Sequence, residues 1–239
     1  MCGIAGFSIS DKDHRLIDSR RLSRNLLKQI IERGRDATGA AWSENTDKGL
    51  EVWYTKAAVP ATEFLDALEE MPRYTRSAIL HTRYATQGHP SNNDNNHPIV
   101  VPNVVGVHNG VIVNDNFIFD KLGCDRLAEV DSEAIFRLIA EHENPLPHLH
   151  KLKGRAAIAW FKADDPTTLH IARLEGSPLH VGQTRNGSLV FASTYGNLVA
   201  ATRASLTPLI DIWQMEEWSY MAVRKGVIHE FAKLDMVAA

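Results

Sequence analysis

The chain begins Met1-Cys2-Gly3-Ile4, and the residue with the most chemistry in it is the second. Removal of Met1, which a small second residue permits, leaves Cys2 carrying a thiol and a free α-amino group. An α-amine titrates near 7.7 to 8.0 and a free thiol near 8.5, so around neutral pH the amine can take the thiol proton without strong tuning. One residue then supplies nucleophile and base, and no histidine is needed. Position by itself favours a blander reading, a small buried thiol, because free cysteine is among the most buried residue types. What surrounds Cys2 in the sequence has to decide.

Acyl transfer needs donors for a developing oxyanion and groups that orient the substrate. Asn109-Gly110 offers a carboxamide N–H beside a glycine main-chain N–H, which can meet at one oxygen if both face inward. The same dipeptide is a strong signal for a type I′ hairpin turn, and locally that reading is the stronger. In His81-Thr82-Arg83-Tyr84-Ala85-Thr86 an arginine stands where an apolar run gives way to a polar one, and a guanidinium there can grip a carboxylate in bidentate fashion. Asp131 can hold an ammonium group. Taken singly, Arg83 also fits a surface ion pair and Asp131 a helix N-cap.

These residues need a scaffold. Gly3 to Ile9 reads as a buried strand with Cys2 at its mouth, and Leu16, Leu22, Leu26, Leu27, Ile30 and Ile31 recur at helical spacing, predicting a helix over Leu16 to Glu32 that stops at Gly34. Two strands over Thr38 to Ala58 flank a turn at 45–49, and a short helix is expected from Ala61 to Glu70. Ala78-Ile79-Leu80 leads into His81 to Asn96, read as a long loop of the kind that often carries function. Val104 to Val113 reads as strand interrupted at His108-Asn109-Gly110, and Ser132 to Glu143 as a helix with Asp131 at its N-cap. Further strands are predicted at Arg155–Phe161, Thr168–Arg173, Leu189–Ala192, Leu209–Trp213 and Tyr220–Phe231, with turns at Asp164-Asp165-Pro166 and Arg185-Asn186-Gly187. Many strands without a strict strand-helix-strand rhythm predict an α+β protein with largely antiparallel sheets.

Composition narrows the class. With 239 residues and 44% hydrophobic content, one compact domain over 1–239 is expected. The balance of 26 basic and 29 acidic residues, net −3, contains no basic run that could form a nucleic-acid footprint. No signal peptide precedes Asp11, and no apolar run approaches the roughly 18 residues needed to span a bilayer. Two cysteines, Cys2 and Cys124, are too few for a disulfide framework, which predicts a reducing, cytoplasmic setting with Cys124 structural. His142, His148 and His150 lack the spacing and companions of a zinc site, so no metal is expected, and no Gly-rich phosphate loop is present.

Seven strings together resemble one family: Met-Cys-Gly-Ile at 1–4, Arg33-Gly34-Arg35-Asp36-Ala37-Thr38-Gly39, His81 to Thr86, Asn96-His97-Pro98, His108-Asn109-Gly110, Asp131-Ser132-Glu133 and Gly176-Ser177-Pro178-Leu179. They are similar, in order and over nearly the whole chain, to the class II glutamine amidotransferases, a group of N-terminal nucleophile hydrolases, and especially to the glutaminase domain of glucosamine-6-phosphate synthases. The resemblance implies a four-layer αββα sandwich of two antiparallel sheets. It implies that Cys2 attacks the side-chain amide of L-glutamine to release ammonia and then glutamate through a thioester, with no cofactor. By position it makes Asn109 and the Gly110 amide the oxyanion hole, Arg83 and Asp131 the clamps for the α-carboxylate and α-ammonium, and Thr86 a further carboxylate contact. Arg33 lies beside the nucleophile, and His81 and His97 support the site.

The sequence departs from the family pattern at Tyr84, where tryptophan is common, at Gln87 in place of histidine and at Arg35, where tyrosine is usual. These positions bear on loop closure and acceptor coupling. No acceptor domain is expected within 1–239, so ammonia would go to a separate partner synthase. Two alternatives stay open: a γ-glutamyl amide hydrolase of the same superfamily, and a non-catalytic glutamine-binding regulatory module.

Overall fold

The computed structural model describes residues 1–234. Its core is a pair of antiparallel sheets. The first has seven strands, β1 (Gly3–Ser8), β2 (Ala37–Thr46), β3 (Gly49–Ala57), β4 (Ser77–Arg83), β9 (His180–Thr184), β10 (Leu189–Ala192) and β11 (Leu209–Gln214), in the order β11-β9-β10-β1-β4-β2-β3. The second has six, β5 (Ile99–Val101), β6 (Val104–Ile112), β7 (Gly154–Lys162), β8 (Asp165–Arg173), β12 (Ser219–Arg224) and β13 (Val227–Lys233), in the order β13-β12-β8-β7-β6-β5.

Strand alternation sorts the apolar residues into three layers of packing. Between the sheets, Ile4, Ala41 and Ile79 of the first meet Val107, Ala157 and Ile171 of the second. On the outer face of the first sheet, Phe7, Trp42 and Leu80 pack beneath α1 (Ser19–Ile30), the short α2 (Ala61–Phe64) and α6 (Tyr195–Ala204), which present Leu26, Phe64 and Leu198. On the outer face of the second, Ile158 and Trp160 pack beneath α3 (Asp115–Leu122), α4 (Ser132–Glu141) and α5 (Leu146–Leu149), which present Phe119, Ile135 and Leu149. The result is the αββα sandwich.

Several boundaries correct the sequence reading, each for a local reason. The first helix begins at Ser19 rather than Leu16, because Asp18 caps it by accepting the Arg21 N–H at 2.9 Å. It yields at Ile31–Arg33 to a 3-10 turn. The predicted helix over 61–70 is α2 continued by a 3-10 segment at Leu65–Glu70. β4 runs three residues past Leu80, so His81, Thr82 and Arg83 are strand residues paired with Ile4 and Gly3 of β1 and with β2. β6 is unbroken: Asn109 and Gly110 lie opposite Ala157 and Ala156 of β7, and no hairpin turn forms there. Tyr220–Phe231 is two strands divided at Lys225-Gly226, and Asp165 and Pro166 already belong to β8.

Asp131 holds the N-cap position of α4, as expected, but its side chain does not cap the helix. Its own backbone is helical (φ −57°, ψ −29°) and its side chain makes no capping bond; Oδ2 instead accepts the Ile112 N–H at 2.6 Å. The sequence reading passed over α3, β9 and α6. Among the described residues no helix is long and apolar enough to cross a membrane.

Candidate active site

The site lies at one end of the sandwich, where β1 begins and β4 ends. Because Gly3 pairs with Thr82, Cys2 is carried to the point where the chain leaves β4. The Tyr84 N–H donates to Cys2 Sγ at 3.4 Å, and the Tyr84 carbonyl lies 3.6 Å from the same sulfur. Behind it, Arg33 donates from Nε to the Cys2 carbonyl at 2.9 Å. Burial pushes the Cys2 thiol up, more than the Tyr84 amide, the terminal ammonium and Arg83 draw it down, and Asp131 adds to the rise. A thiol held this way is protonated near neutrality and needs a base before it can attack.

β6 supplies the opposite wall. Its even-numbered residues turn toward α4: a Cβ on Gly106 would stand 2.0 Å from the Phe136 ring, and His108 Nδ1 lies 2.9 Å from Ser132 Oγ. Its odd-numbered residues, Val105 and Val107, turn between the sheets, and Asn109 follows them. Asn109 is 1% exposed, and its Nδ2 has no hydrogen-bond partner among the described residues. Buried carboxamide donors are rarely left unpaired, so this one is an unspent donor in the layer where Cys2 sits. At Gly110 no other residue fits, because a Cβ would stand 1.8 Å from the Arg155 carbonyl oxygen of the neighbouring strand.

Three buried histidines back this wall. The His81 ring contacts the His108 carbonyl at 3.1 Å, which fixes its Nε2 as the N–H donor. His81 stacks on His97 with ring centroids 4.1 Å apart. Burial lowers His81 to about 3, holds His97 well below the usual range and lowers His108 as well. All three are neutral at neutral pH, as supports should be, and His97 has no partner for either ring nitrogen among the described residues.

Arg83 and Asp131 face the same cleft, which is also lined by Cys2, Thr86, His97 and Gly110. Arg83 is 2% exposed and donates to the Asn96 carboxamide oxygen at 2.8 Å and to the Gln87 and Gly88 carbonyls at 2.5 and 2.7 Å. A guanidinium has five N–H donors, so donors remain for a ligand. Thr86 is exposed on the loop after β4. The cleft volume is about 20 Å³, room for about one water, so an amino acid enters only when its wall moves. Tyr84, 54% exposed, and Gln87 form the side that has solvent to move into. A larger hollow of about 410 Å³ between α3 and α4 is lined by groups such as Phe117, Leu138 and Lys151 and holds neither thiol nor hydroxyl. Size does not mark the site here; converging chemistry does.

Residues 81–200, half of the chain, match the family described as glutamine amidotransferase domain. The chain belongs to the class II glutamine amidotransferases. Among its relatives is the glutamine–fructose-6-phosphate aminotransferase [isomerizing] of Rhizobium meliloti (strain 1021), 31% identical over 225 residues, covering 88% of this chain and 34% of that protein. The Escherichia coli (strain K12) protein of the same name is 31% identical over 193 residues, 76% of this chain and 30% of its own length. The chain therefore spans about a third of these curated relatives. Among solved structures, the glutamine phosphoribosylpyrophosphate amidotransferase from B. subtilis superposes over 98% of this chain and 50% of its own with a TM-score of 0.77 at 19% identity. A glutamine aminotransferase class-II domain protein from Silicibacter pomeroyi superposes over 98% of this chain and 100% of its own with a TM-score of 0.59 at 15% identity. Both share the fold.

In this amidotransferase the structure brings Cys2, Arg83, Thr86, His97, Gly110 and Asp131 to one cleft, with Arg33 bonded to the Cys2 carbonyl behind it; Asn109 does not line that cleft but continues the face of β6 that carries Val105 and Val107. Sequence reasoning gave no role to Asn95, Lys56 or Ser132, and it quoted Asn96 only within a motif. Ser132 lines the cleft and meets His108, and the others hold Arg83 and the loop after it. The signal for Asn95-Asn96 was a pair of amide side chains in a loop the reading had already singled out. Lys56, on a strand with a largely solvated pattern, carried none. Among the described residues no group of three His, Cys, Asp or Glu is arranged to hold a metal. Cys124 packs against the core beneath α3 and α4.

Proposed function

We propose that this amidotransferase hydrolyses L-glutamine to glutamate and ammonia through a thioester on Cys2, after Met1 is removed. The α-amine of Cys2 takes the thiol proton, and Sγ forms a bond to the side-chain carbonyl carbon. The oxyanion so formed is held by Asn109 Nδ2 and the Gly110 N–H. As the carbonyl reforms, the carbon–nitrogen bond breaks and the amine returns its proton to the leaving nitrogen, which departs as ammonia. Water then adds to the thioester, glutamate leaves and the thiol is restored. Arg83 and Asp131 hold the α-carboxylate and α-ammonium, with Thr86 beside the carboxylate and Arg33 steadying the nucleophile.

The observation that carries this reading is the unspent Nδ2 of Asn109, buried in the layer between the sheets at the end where Cys2 meets Arg83 and Asp131. A glutamine sensor needs the two clamps, but a thiol and an idle buried donor serve it nothing. The clamps likewise favour free glutamine over γ-glutamyl compounds extended at either α-group. The ammonia, in this reading, passes to an acceptor on a partner synthase that docks over the exposed Tyr84 side.

The test measures glutamate release by the wild-type protein and by Cys2→Ala, with intact mass to establish whether Met1 is gone. The expected results are loss of Met1 and a fall of several orders of magnitude in Cys2→Ala, of the size seen when a catalytic nucleophile is removed, about 10⁶. Near-wild-type activity in Cys2→Ala, or activity with Met1 retained, overturns the mechanism. Co-purification from cells and stimulation of glutamate release by the captured synthase test the partner.

A further inference from the structure

Asn95 and Asn96 are each 0% exposed, adjacent in sequence, and committed in opposite directions. Asn96 Oδ1 accepts from Arg83 Nη1 at 2.8 Å, while its Nδ2 donates to the Pro90 carbonyl at 2.7 Å and to Asn93 Oδ1 at 3.0 Å. Its carboxamide is thereby held in one orientation, with the oxygen toward the guanidinium. Asn95 makes a reciprocal pair with Glu129: Nδ2 donates to Oε2 at 2.7 Å, and Oδ1 accepts the Glu129 N–H at 2.8 Å. Glu129 stands two residues before Asp131, on the segment that reaches the cleft through Val130. One asparagine thus touches the arginine, and the other fixes the strand of chain leading to the aspartate.

The segment bearing both is itself pinned. Lys56 Nζ donates to the Asn96 and Pro98 carbonyls at 2.8 and 3.0 Å, and Asn93 Nδ2 donates back to the Lys56 carbonyl at 3.2 Å. It also presses so closely on β2 that a Cβ at Gly39 would stand 2.1 Å from the His97 carbonyl oxygen. Lys56 makes no ion pair among the described residues. Its ammonium is drawn down to about 8 by burial, opposed by the nearby Asp94, and is spent on main-chain carbonyls.

We propose that Asn95 and Asn96, the latter anchored by Lys56, are positioning residues that set the spacing of the two clamps for the substrate's α-groups, one asparagine for each clamp. This rests on the assignment of Arg83 and Asp131 under the proposed function. Arg83 belongs to the seven-stranded sheet and Asp131 to the start of α4 above the other, so their separation is fixed by no shared strand. The 93–98 segment touches both sides, Arg83 through Asn96 and the chain before Asp131 through Asn95.

The test is a double dissociation on kcat/KM for three substrates: glutamine, its α-carboxamide and N-acetylglutamine. In Asn96→Leu the preference for glutamine over the α-carboxamide falls by about tenfold or more while the preference over N-acetylglutamine holds within about twofold, as expected when misplacement affects one contact. In Asn95→Leu the pattern reverses. Both effects appear in KM, with kcat nearly unchanged. Lys56→Met, which leaves both asparagines in place, follows Asn96→Leu, and Lys56→Arg restores the wild-type ratio. Lys56→Met keeps the test decisive if the buried Leu variants do not fold. Two results overturn the proposal: both preferences falling together in every variant, as a general loss of order would give, or neither moving while the wild type discriminates. If the wild type itself ignores both blocked α-groups, the assignment of Arg83 and Asp131 fails and the brace falls with it.

Discussion

Arg33 reaches from the 3-10 turn after α1 to donate Nε–H to the main-chain carbonyl of Cys2 at 2.9 Å, leaving a buried Nη2 without a partner among the described residues. A cation that grips the backbone of Cys2 holds that residue in position from behind. Replacing Arg33 by methionine should therefore lower kcat by about 10²-fold, the scale of a 1 Å misplacement, with KM for glutamine changed far less. Steady-state glutaminase kinetics check this. An equal rise in KM at constant kcat assigns Arg33 to substrate binding instead.

Asn109 gives a sharper case, because its buried Nδ2 has no bond to lose. Asn109→Leu should leave the melting temperature unchanged or raise it, since an apolar side chain replaces an unsatisfied donor. It should still cost about 10² to 10³ in kcat, as removal of an oxyanion donor does. Calorimetry and kinetics on the same preparation decide; a variant both less stable and normally active removes Asn109 from the oxyanion hole.

Two glycines, both with positive φ, differ in what an added side chain would meet. Gly110→Ala places a Cβ against the Arg155 carbonyl and forces β6 from β7, at an expected cost of about 3 kcal/mol or more, the upper range of overpacking. Gly187→Ala has a positive φ of 92° but nothing within 4 Å, and should cost only about 1–2 kcal/mol. Urea denaturation of both variants measures the difference.

Asp131→Asn keeps an oxygen for the Ile112 N–H while removing the charge. Stability should change by less than about 1 kcal/mol, the net worth of one such bond, while KM for glutamine rises and discrimination against N-acetylglutamine is lost. Unchanged discrimination would make Asp131 a purely structural link between β6 and α4.

The neutral histidines set an acid limit. His81 titrates near 3 in the fold and near 6.5 in an unfolded chain, so between those values the unfolded state binds more protons. Its stabilising contribution is complete above about pH 6.5 and falls as the pH drops toward 3, by up to about 1.4 kcal/mol per pH unit. His97 and His108, lowered by burial as well, act in the same direction. Denaturant midpoints between pH 7 and 4 should decline, and His81→Gln should flatten the decline; a level profile in the wild type removes the premise.

The chemistry was more legible in the sequence than the geometry that delivers it. Strings around Cys2, Arg83, Asn109 and Asp131 pointed to one reaction, yet the elements assigned to Arg83 and Asn109 were wrong, and the Asp131 side chain does something other than cap its helix. Arg83 was placed in a loop because the polar run from His81 looks solvated, whereas His81 and Thr82 are buried polar strand residues bonded to the His108 and Ile30 carbonyls. Asn109-Gly110 resembled a turn because local propensity cannot see the neighbouring strand that requires a glycine. Asp131 stands at the N-cap as read, but the sequence gives no sign that its side chain accepts the N–H of Ile112, nineteen positions earlier, instead of capping the helix. α3 and α6 were missed because their apolar stripes are weak. Periodicity found α1 and α4, where Leu22, Leu26 and Ile30 or Ile135, Leu138 and Ile139 line one buried face.

Among the described residues no ladder of main-chain hydrogen bonds joins the two sheets; they meet through side chains such as Ala41, Ala157 and Ala159. Cys2 stands at the mouth of a strand of one sheet and Asn109 and Gly110 lie on a strand of the other, so the distance between them is a sliding coordinate of the sandwich itself. A change of volume deep in that seam, far from any substrate, can detune the reaction without touching a catalytic group. Transplanting the activity would accordingly mean moving both halves together with their shared packing, since neither sheet, nor any loop, carries it alone.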